Sequence, residues 1–298
     1  MLLHTHERVF RVRLYESDAN GHVYNANYVR YMLEAGLDAS AAAGYDLNRY
    51  KALNRAWRIQ ETDIEYLRPI TYGDSVRVKT WVAYFQGDAS RRRYELYSVN
   101  TGELFARAST DWIFIDTNLN IPTNVPPEII AAFCPDDALT EPAREMFPAA
   151  PTPPPGMFKM RTRVSWRDVD PAGYVNNAMY LSYINDCGME VAARSGWTLD
   201  RMWKAGFGIL VRRQQIEYLR EALMDDEIEI ATWLSEVKRS TSIWHFTITR
   251  VKNNELLARA RTLCVGIDPK TRRLRKMPEE ILKNLRDLES DPSVNACP

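Results

Sequence analysis

Two copies of one α+β domain, each an antiparallel sheet wrapped around a single long helix, are predicted by three features of the sequence. These are an internal repeat, the order of apolar periodicities within it, and a proline-rich join between the copies. The repeat is explicit: Asp18-x-x-Gly21-His22-Val23-x-Asn25-Ala26-x-Tyr28 returns 152 residues later as Asp170-x-x-Gly173-Tyr174-Val175-x-Asn177-Ala178-x-Tyr180. The register then holds without a gap. Ile64-Glu65-Tyr66-Leu67-Arg68 becomes Ile216-Glu217-Tyr218-Leu219-Arg220, Trp81 becomes Trp233, and Ala106-Arg107-Ala108 becomes Ala258-Arg259-Ala260. About 35 identities between residues 11–130 and 163–282 exceed what unrelated segments share, and at this period a repeat means two domains rather than a solenoid.

Each copy opens on an alternating segment, 10–14 and 162–166, that suits a half-buried strand. The Asp/Gly/Asn motif follows as a loop. Next, 26–43 and 178–195 carry apolar residues at helical spacing: Tyr28, Val29, Tyr31, Met32 and Ala35, then Tyr180, Leu181, Tyr183 and Ile184. Gly44 and Gly196 stop these helices, as glycine does just past a helix end. Strand-like runs follow at 59–67, 75–85, 92–99 and 104–115, and again at 209–219, 227–237, 242–251 and 256–267. A short helix after a proline closes each copy, at 126–130 and 278–282. One long apolar helix followed by antiparallel strands is an α+β layer arrangement in which the sheet must cover the helix. Between the copies, Ala150-Pro-Thr-Pro-Pro-Pro-Gly156 lacks backbone donors and favours extended polyproline II, a stiff surface linker. The predicted division is domain 1 at 1–135, linker at 136–160 and domain 2 at 161–298.

Composition agrees with two compact domains, since 298 residues is twice a common domain length and 45% hydrophobic content supplies two cores. Net charge is zero, where a nucleic-acid binder shows a basic excess. Cys134, Cys187, Cys264 and Cys297 lie far apart with no Cys-x-x-Cys pair, which fits a reducing compartment and no zinc scaffold. Residues 1–10 carry two histidines and a charged pair where a signal peptide needs an apolar run, and no stretch approaches 18 apolar residues. The expectation is a cytoplasmic protein with neither membrane nor nucleic acid as partner.

The succession of strand, Asp-x-x-Gly loop, central helix and Ile64-Glu-Tyr-Leu-Arg-Pro-Ile-Thr-Tyr-Gly-Asp74 resembles the hot-dog fold. Within it, Trp166-Arg-Asp168-Val-Asp170-Pro-Ala-Gly173 resembles the 4-hydroxybenzoyl-CoA thioesterase family and, more distantly, the tandem acyl-ACP thioesterases. The resemblance spans nearly all of both copies. It implies that the two domains pair as an internal pseudo-dimer with ligand sites in the seam between them. It also implies hydrolysis of acyl-CoA or acyl-ACP thioesters in fatty acid metabolism, with no cofactor beyond the coenzyme A or phosphopantetheine of the substrate. Such pairs often assemble further, which extends the expectation to a homodimer of tandem chains.

Thioester cleavage needs water deprotonated by a carboxylate, or the carboxylate itself as nucleophile. Asp18 and Asp170 are the candidates, each in a glycine-bearing loop before the central helix, whose N-terminal N–H groups suit a developing oxyanion. The resemblance places the catalytic carboxylate at Asp170, and the repeat carries it to Asp18. Capping of helix or turn is the competing role for both. Asp18-x-Asn20-x-His22-Val23 resembles the catalytic loop of acyl-ACP thioesterases, which implies that Asn20 and His22 position or activate the nucleophile. The second copy has Ala172 and Tyr174 there, so the copies are not chemically equivalent. Asn25 and Asn177 are expected as helix N-caps, and Glu65 and Glu217 as members of strand ion pairs.

Phosphates of the carrier need cations and backbone donors. Lys238, Arg239 and Ser240, at a turn entering a strand, resemble the segment that meets coenzyme A in thioesterases. The corresponding 86–90 is uncharged or acidic, and Arg91-Arg92-Arg93 behind it stands as a substitute. His4, His6 and His245 suggest no site, and no metal-ligand spacing occurs. Two other functions compete. A hot-dog hydratase or dehydratase would use His22 with an acid; a non-catalytic acyl-CoA binding module would need neither aspartate.

Overall fold

The structure is a computed structural model and describes residues 5–134 and 145–290. His4, Cys297 and the first part of the predicted linker, 136–144, lie outside the described residues. The chain divides into two compact units, 1–147 and 148–298.

Unit 1 begins with β1 (His6–Arg11), a 3₁₀ turn (Leu14–Glu16), α1 (Asn25–Ala42) and α2 (Leu47–Ala52). β2 (Arg55–Tyr66), β3 (Ser75–Gln86), β4 (Ala89–Ser98), β5 (Leu104–Asp116), the two-residue β6 (Ile121–Pro122) and α3 (Pro127–Phe133) follow. The strands pair antiparallel in the order β1-β3-β4-β5-β2, with β6 on the end of β5. α1 buries Ala26, Tyr28, Val29, Tyr31, Met32, Ala35 and Ala39, so its apolar stripe is covered as the helical spacing requires. A second cluster of Tyr50, Phe85, Phe114, Ile129 and Phe133 closes the unit where α2 and α3 meet the sheet.

Unit 2 repeats the plan with β7 (Phe158–Arg163), a 3₁₀ turn (Trp166–Asp168), α4 (Asn177–Arg194) and α5 (Leu199–Lys204). β8 (Gly208–Tyr218), β9 (Glu227–Ser235), β10 (Thr241–Arg250), β11 (Glu255–Ile267) and α6 (Glu279–Ser290) complete it. Its strand order, β7-β9-β10-β11-β8, is that of unit 1 element for element. α4 packs Tyr180, Tyr183, Ile184, Cys187 and Val191 into one core with Ile216, Ile228, Ile230, Phe246 and Leu257. Each unit is thus a hot-dog domain, a long helix wrapped by an antiparallel sheet.

Two expectations need correction. The opening strands lie earlier than 10–14 and 162–166, because a carboxylate at the end of each following turn captures the N–H that would continue the strand. Glu16 Oε2 accepts from Arg13 N at 2.7 Å, and Asp168 Oδ2 from Ser165 N at 2.9 Å. Nor are Asn25 and Asn177 the helix N-caps. They are the first helical residues; the caps are Tyr24, without a side-chain bond, and Asn176, whose Oδ1 accepts from Ala178 N at 3.0 Å. The short helices α2 and α5, absent from the sequence reading, start from Asp46 and Thr198, which accept from Arg49 N and Arg201 N.

Candidate active site

The Asp/Gly loop is built the same way in both units. An antiparallel bridge, Ser17 with Val23 and Val169 with Val175, closes its neck. Inside, Asp18 N donates to His22 O at 2.7 Å and Gly21 N to Asp18 O at 3.0 Å; the copies are Asp170 N to Tyr174 O at 2.9 Å and Gly173 N to Asp170 O at 2.9 Å. Gly21 and Gly173 have φ of 75° and 89°, a left-handed conformation that glycine adopts without steric cost.

The turn also fixes the carboxylates. Asp18 Oδ1 accepts from Asn20 N at 2.8 Å and His22 N at 3.1 Å, whereas Asp170 Oδ1 accepts only from Ala172 N, at 2.8 Å. Oδ2 of both has no hydrogen-bond partner among the described residues. Each aspartate therefore caps its own turn with one oxygen and leaves the other outside the turn's hydrogen bonds. Asn20 and His22 meet Asp18 through their backbones. Asn20 is exposed and His22 half-buried.

Anchors to the β2–β3 and β8–β9 connections hold the loop. Val23 N donates to Ile70 O at 2.7 Å and Val175 N to Ala222 O at 3.0 Å. In return Ile70 N donates to the Tyr28 hydroxyl at 3.2 Å and Ala222 N to that of Tyr180 at 2.9 Å. Burial pushes both phenols up, Tyr180 to about 12, so they remain neutral hydrogen-bonding groups at physiological pH.

Sequence reasoning missed a second pair of acids. Two residues before each loop aspartate, Glu16 and Asp168 accept from the hydroxyls of Tyr31 and Tyr183 on the central helix, at 2.7 and 3.0 Å. Burial, followed by the adjoining carboxylate, raises both tyrosine pKa values. The same residues supply main-chain anchors: Tyr24 N donates to Glu16 O and Asn176 N to Asp168 O. The recurrence of an acid and a tyrosine fifteen residues apart in both copies was the available signal.

Lys238, Arg239 and Ser240 form the turn between β9 and β10, with both cations exposed. Its backbone is tied down by Lys238 N to Thr241 O, Gly266 N to Ser240 O, and Met277 N to Arg239 O, at 2.8, 2.8 and 3.1 Å. The last bond lays the exposed basic segment 270–276 beside the turn, a neighbour that sequence reading did not connect with it. The substitute clamp expected at Arg91-Arg92-Arg93 does not form. Asp111 takes the Arg91 fork with bonds of 2.7 and 3.0 Å, and Arg92 is buried. Glu65 and Glu217 do form ion pairs, with Arg107 and Arg259 opposite them on the neighbouring strands. His245 is buried against Trp233, its Nε2 2.8 Å from Ser235 Oγ. Among the described residues no group of three or more His, Cys, Asp or Glu could hold a metal ion, and no helix is long and apolar enough to cross a membrane.

Residues 12–133 and 164–285 both match the model of a thioesterase-like superfamily. An acyl-acyl-carrier-protein hydrolase of Cuphea viscosissima chloroplasts, FATB2, is 26% identical over 186 residues, 59% of this chain and 45% of that protein. The chain thus spans under half the length of this relative. The acyl-CoA thioester hydrolase YbgC of Escherichia coli O6:H1 is 25% identical over 130 residues, 44% of this chain and 96% of that protein. Among solved structures, the 12:0-ACP thioesterase of Umbellularia californica superposes with a TM-score of 0.70 at 18% identity, covering 88% of this chain and 97% of that one. That likeness extends to a double hot-dog fold.

Proposed function

From the membership of this chain in the thioesterase-like superfamily, we propose that it hydrolyses acyl thioesters of coenzyme A or acyl carrier protein to free acid and thiol. The observation that carries the reading is the Asp/Gly loop at the start of the central helix of each family-matched unit, with one carboxylate oxygen tied into the turn and the other unpartnered among the described residues.

In the proposed mechanism Oδ2 of Asp170 or Asp18 takes a proton from water as the oxygen attacks the thioester carbonyl. The C–S bond breaks on collapse of the tetrahedral intermediate, and the proton passes to the departing thiolate. N–H groups at the helix N-terminus suit the oxyanion that forms in between, because the helix dipole is positive there. Holding Oδ1 by backbone N–H groups fixes the orientation of Oδ2 before substrate arrives, which lowers the entropic cost of reaching attack geometry. In the first unit Asn20 and His22 border the same carboxylate and are assigned to positioning it. Lys238, Arg239 and Ser240 are assigned to the carrier phosphates, which match exposed cations on a rigid turn. The relatives include acyl-CoA and acyl-ACP enzymes, so both carriers are proposed.

The test is thiol release from a panel of acyl- and aryl-CoA thioesters and one acyl-ACP, with wild type beside Asp18→Asn/Asp170→Asn. Release by wild type that falls at least about 10²-fold in the double variant is expected. No release from any member, or release indifferent to both substitutions, sinks the reading.

A further inference from the structure

One buried cation in unit 1 has no role in the mechanism above. Arg92 lies on β4 with its side chain turned toward α1: a Cβ added at Gly36 would sit 3.5 Å from Arg92 Cδ and 3.3 Å from the Tyr94 hydroxyl. The residue is 8% exposed, and no described carboxylate pairs with it. Nη1 has a long bond of 3.4 Å to Thr80 Oγ1, and the guanidinium lies 5.5 Å from the Phe133 ring centre. Its electrostatic neighbours are the phenols of Tyr94 and Tyr50 and the thiol of Cys134. Burial lowers its pKa, because the charge is removed from water.

The second unit shows that the fold does not require this cluster. In the repeat register Arg92 corresponds to Trp244, Tyr94 to Phe246 and Tyr50 to Met202, while Thr80 and Thr110 recur as Thr232 and Thr262. The corresponding positions carry apolar side chains there, Trp244 half-buried and Phe246 and Met202 buried. Burying a guanidinium with no carboxylate beside it among the described residues costs several kcal/mol, so a scaffold able to hold Trp244 at this place gains no stability from holding Arg92.

We propose that Arg92, with the Tyr50 and Tyr94 hydroxyls, is the recognition site for a carboxylate at the far end of the acyl group, making ω-carboxylated acyl thioesters, the mono-thioesters of dicarboxylic acids, the preferred substrate class. This rests on the thioesterase reading and deepens it. Gly36, against which Arg92 packs, lies three helical turns from Asn25, about 16 Å along α1 from the end where the Asp18 loop sits. An acyl chain laid along the helix with its thioester at the loop brings its distal end to the guanidinium. Arginine suits that end because its planar fork matches a carboxylate with two parallel bonds. The surrounding rings of Tyr45, Trp57, Phe85, Phe114 and Phe133 suit the methylenes before it.

The experiment compares CoA mono-thioesters of straight-chain dicarboxylic acids with the monocarboxylic thioesters of equal length, using the full chain. At its best length the wild type should favour the dicarboxylic member by about 10-fold or more in kcat/KM, the ratio that one charge-assisted hydrogen bond supplies. Arg92→Met should abolish the ratio while keeping turnover of the plain acyl thioester. Absence of the preference in wild type at every length, or its survival in Arg92→Met, overturns the proposal. Should Arg92→Met not fold, judged by circular dichroism, Arg92→Lys replaces it; loss of the fork should still reduce the ratio severalfold, and an unchanged ratio overturns the proposal. If no thioester is turned over, the hydrolase reading fails separately, and equilibrium dialysis of the free dicarboxylates decides the site. Binding at least tenfold weaker in Arg92→Met supports it; equal or absent binding overturns it.

Discussion

Asp168 shows how one buried carboxylate can hold the neighbouring Asp/Gly loop in place. It is 4% exposed; Oδ2 accepts from Ser165 N and the Tyr183 hydroxyl, while Oδ1 has no hydrogen bond and only the exposed Arg167 at 3.8 Å. Asp168→Ala leaves a main-chain donor and a phenol unsatisfied, and should cost about 2–3 kcal/mol in urea unfolding. Tyr183→Phe, which removes only one of the bonds, should cost clearly less; equal losses would show that the pair does not act as described. At His245 burial first, then Arg261, holds the imidazole below its ordinary 6.5, so the folded state favours the neutral ring. The unfolded chain then binds the extra proton, and stability falls as pH drops below about 6.5 until the folded pKa is passed. His245→Gln, which cannot titrate, should flatten the plot of melting temperature against pH between 7 and 5. Parallel plots for the two proteins would count against a neutral, buried ring.

At the scale of elements, the repeat made the two helix-wrapping sheets legible and apolar alternation marked their strands, whereas strand order depends on pairing that the alternation does not encode. Boundaries were less legible where a side chain competes with the backbone. The first strand stops because Glu16 and Asp168 seize a main-chain N–H, and the pattern at 10–14 or 162–166 carries no mark of that capture. A difference in core packing within each copy was hidden too, because it spans two positions far apart in sequence. Phe114, fully buried on β5, corresponds to Gly266 on β11, while Arg55 corresponds to Phe207, also fully buried. The large ring has moved from β5 in unit 1 to the residue just before β8 in unit 2. A Cβ at Gly266 would lie 2.7 Å from Arg275 O and 2.9 Å from the Phe207 ring, so Gly266→Ala forces a main-chain segment or a buried ring to move. The expected loss is about 1–3 kcal/mol in urea unfolding. Phe207→Leu should relieve part of it in the double variant, and strictly additive losses would show that ring and glycine are not coupled.

Across the whole molecule, the two units share a loop design but differ in how strongly they hold its carboxylate. Sequence made Asp18 and Asp170 legible because the motif occurs twice; it left the oxygens unassigned, since that depends on which N–H groups the turn directs inward. Asp18 Oδ1 takes two such bonds and Asp170 Oδ1 one. Asp170 shares unit 2 with the exposed Lys238 and Arg239, whereas Asp18 shares unit 1 with the buried Arg92. Turnover should fall about 10²- to 10⁴-fold in the aspartate-to-asparagine variant of the loop that holds the thioester, and by a smaller factor in the other, both scored by thiol release with each substrate saturating. The buried thiols of Cys187 and Cys264, the latter pushed up to about 12 by burial, should stay silent toward the dye in the native protein, and a blank without substrate subtracts any reaction of the other two cysteines. A larger loss in Asp18→Asn would move the working loop to unit 1, where Asn20 and His22 border the carboxylate. Equal losses would mean that both loops turn over substrate, and that one bond fewer to Asp170 does not decide the chemistry.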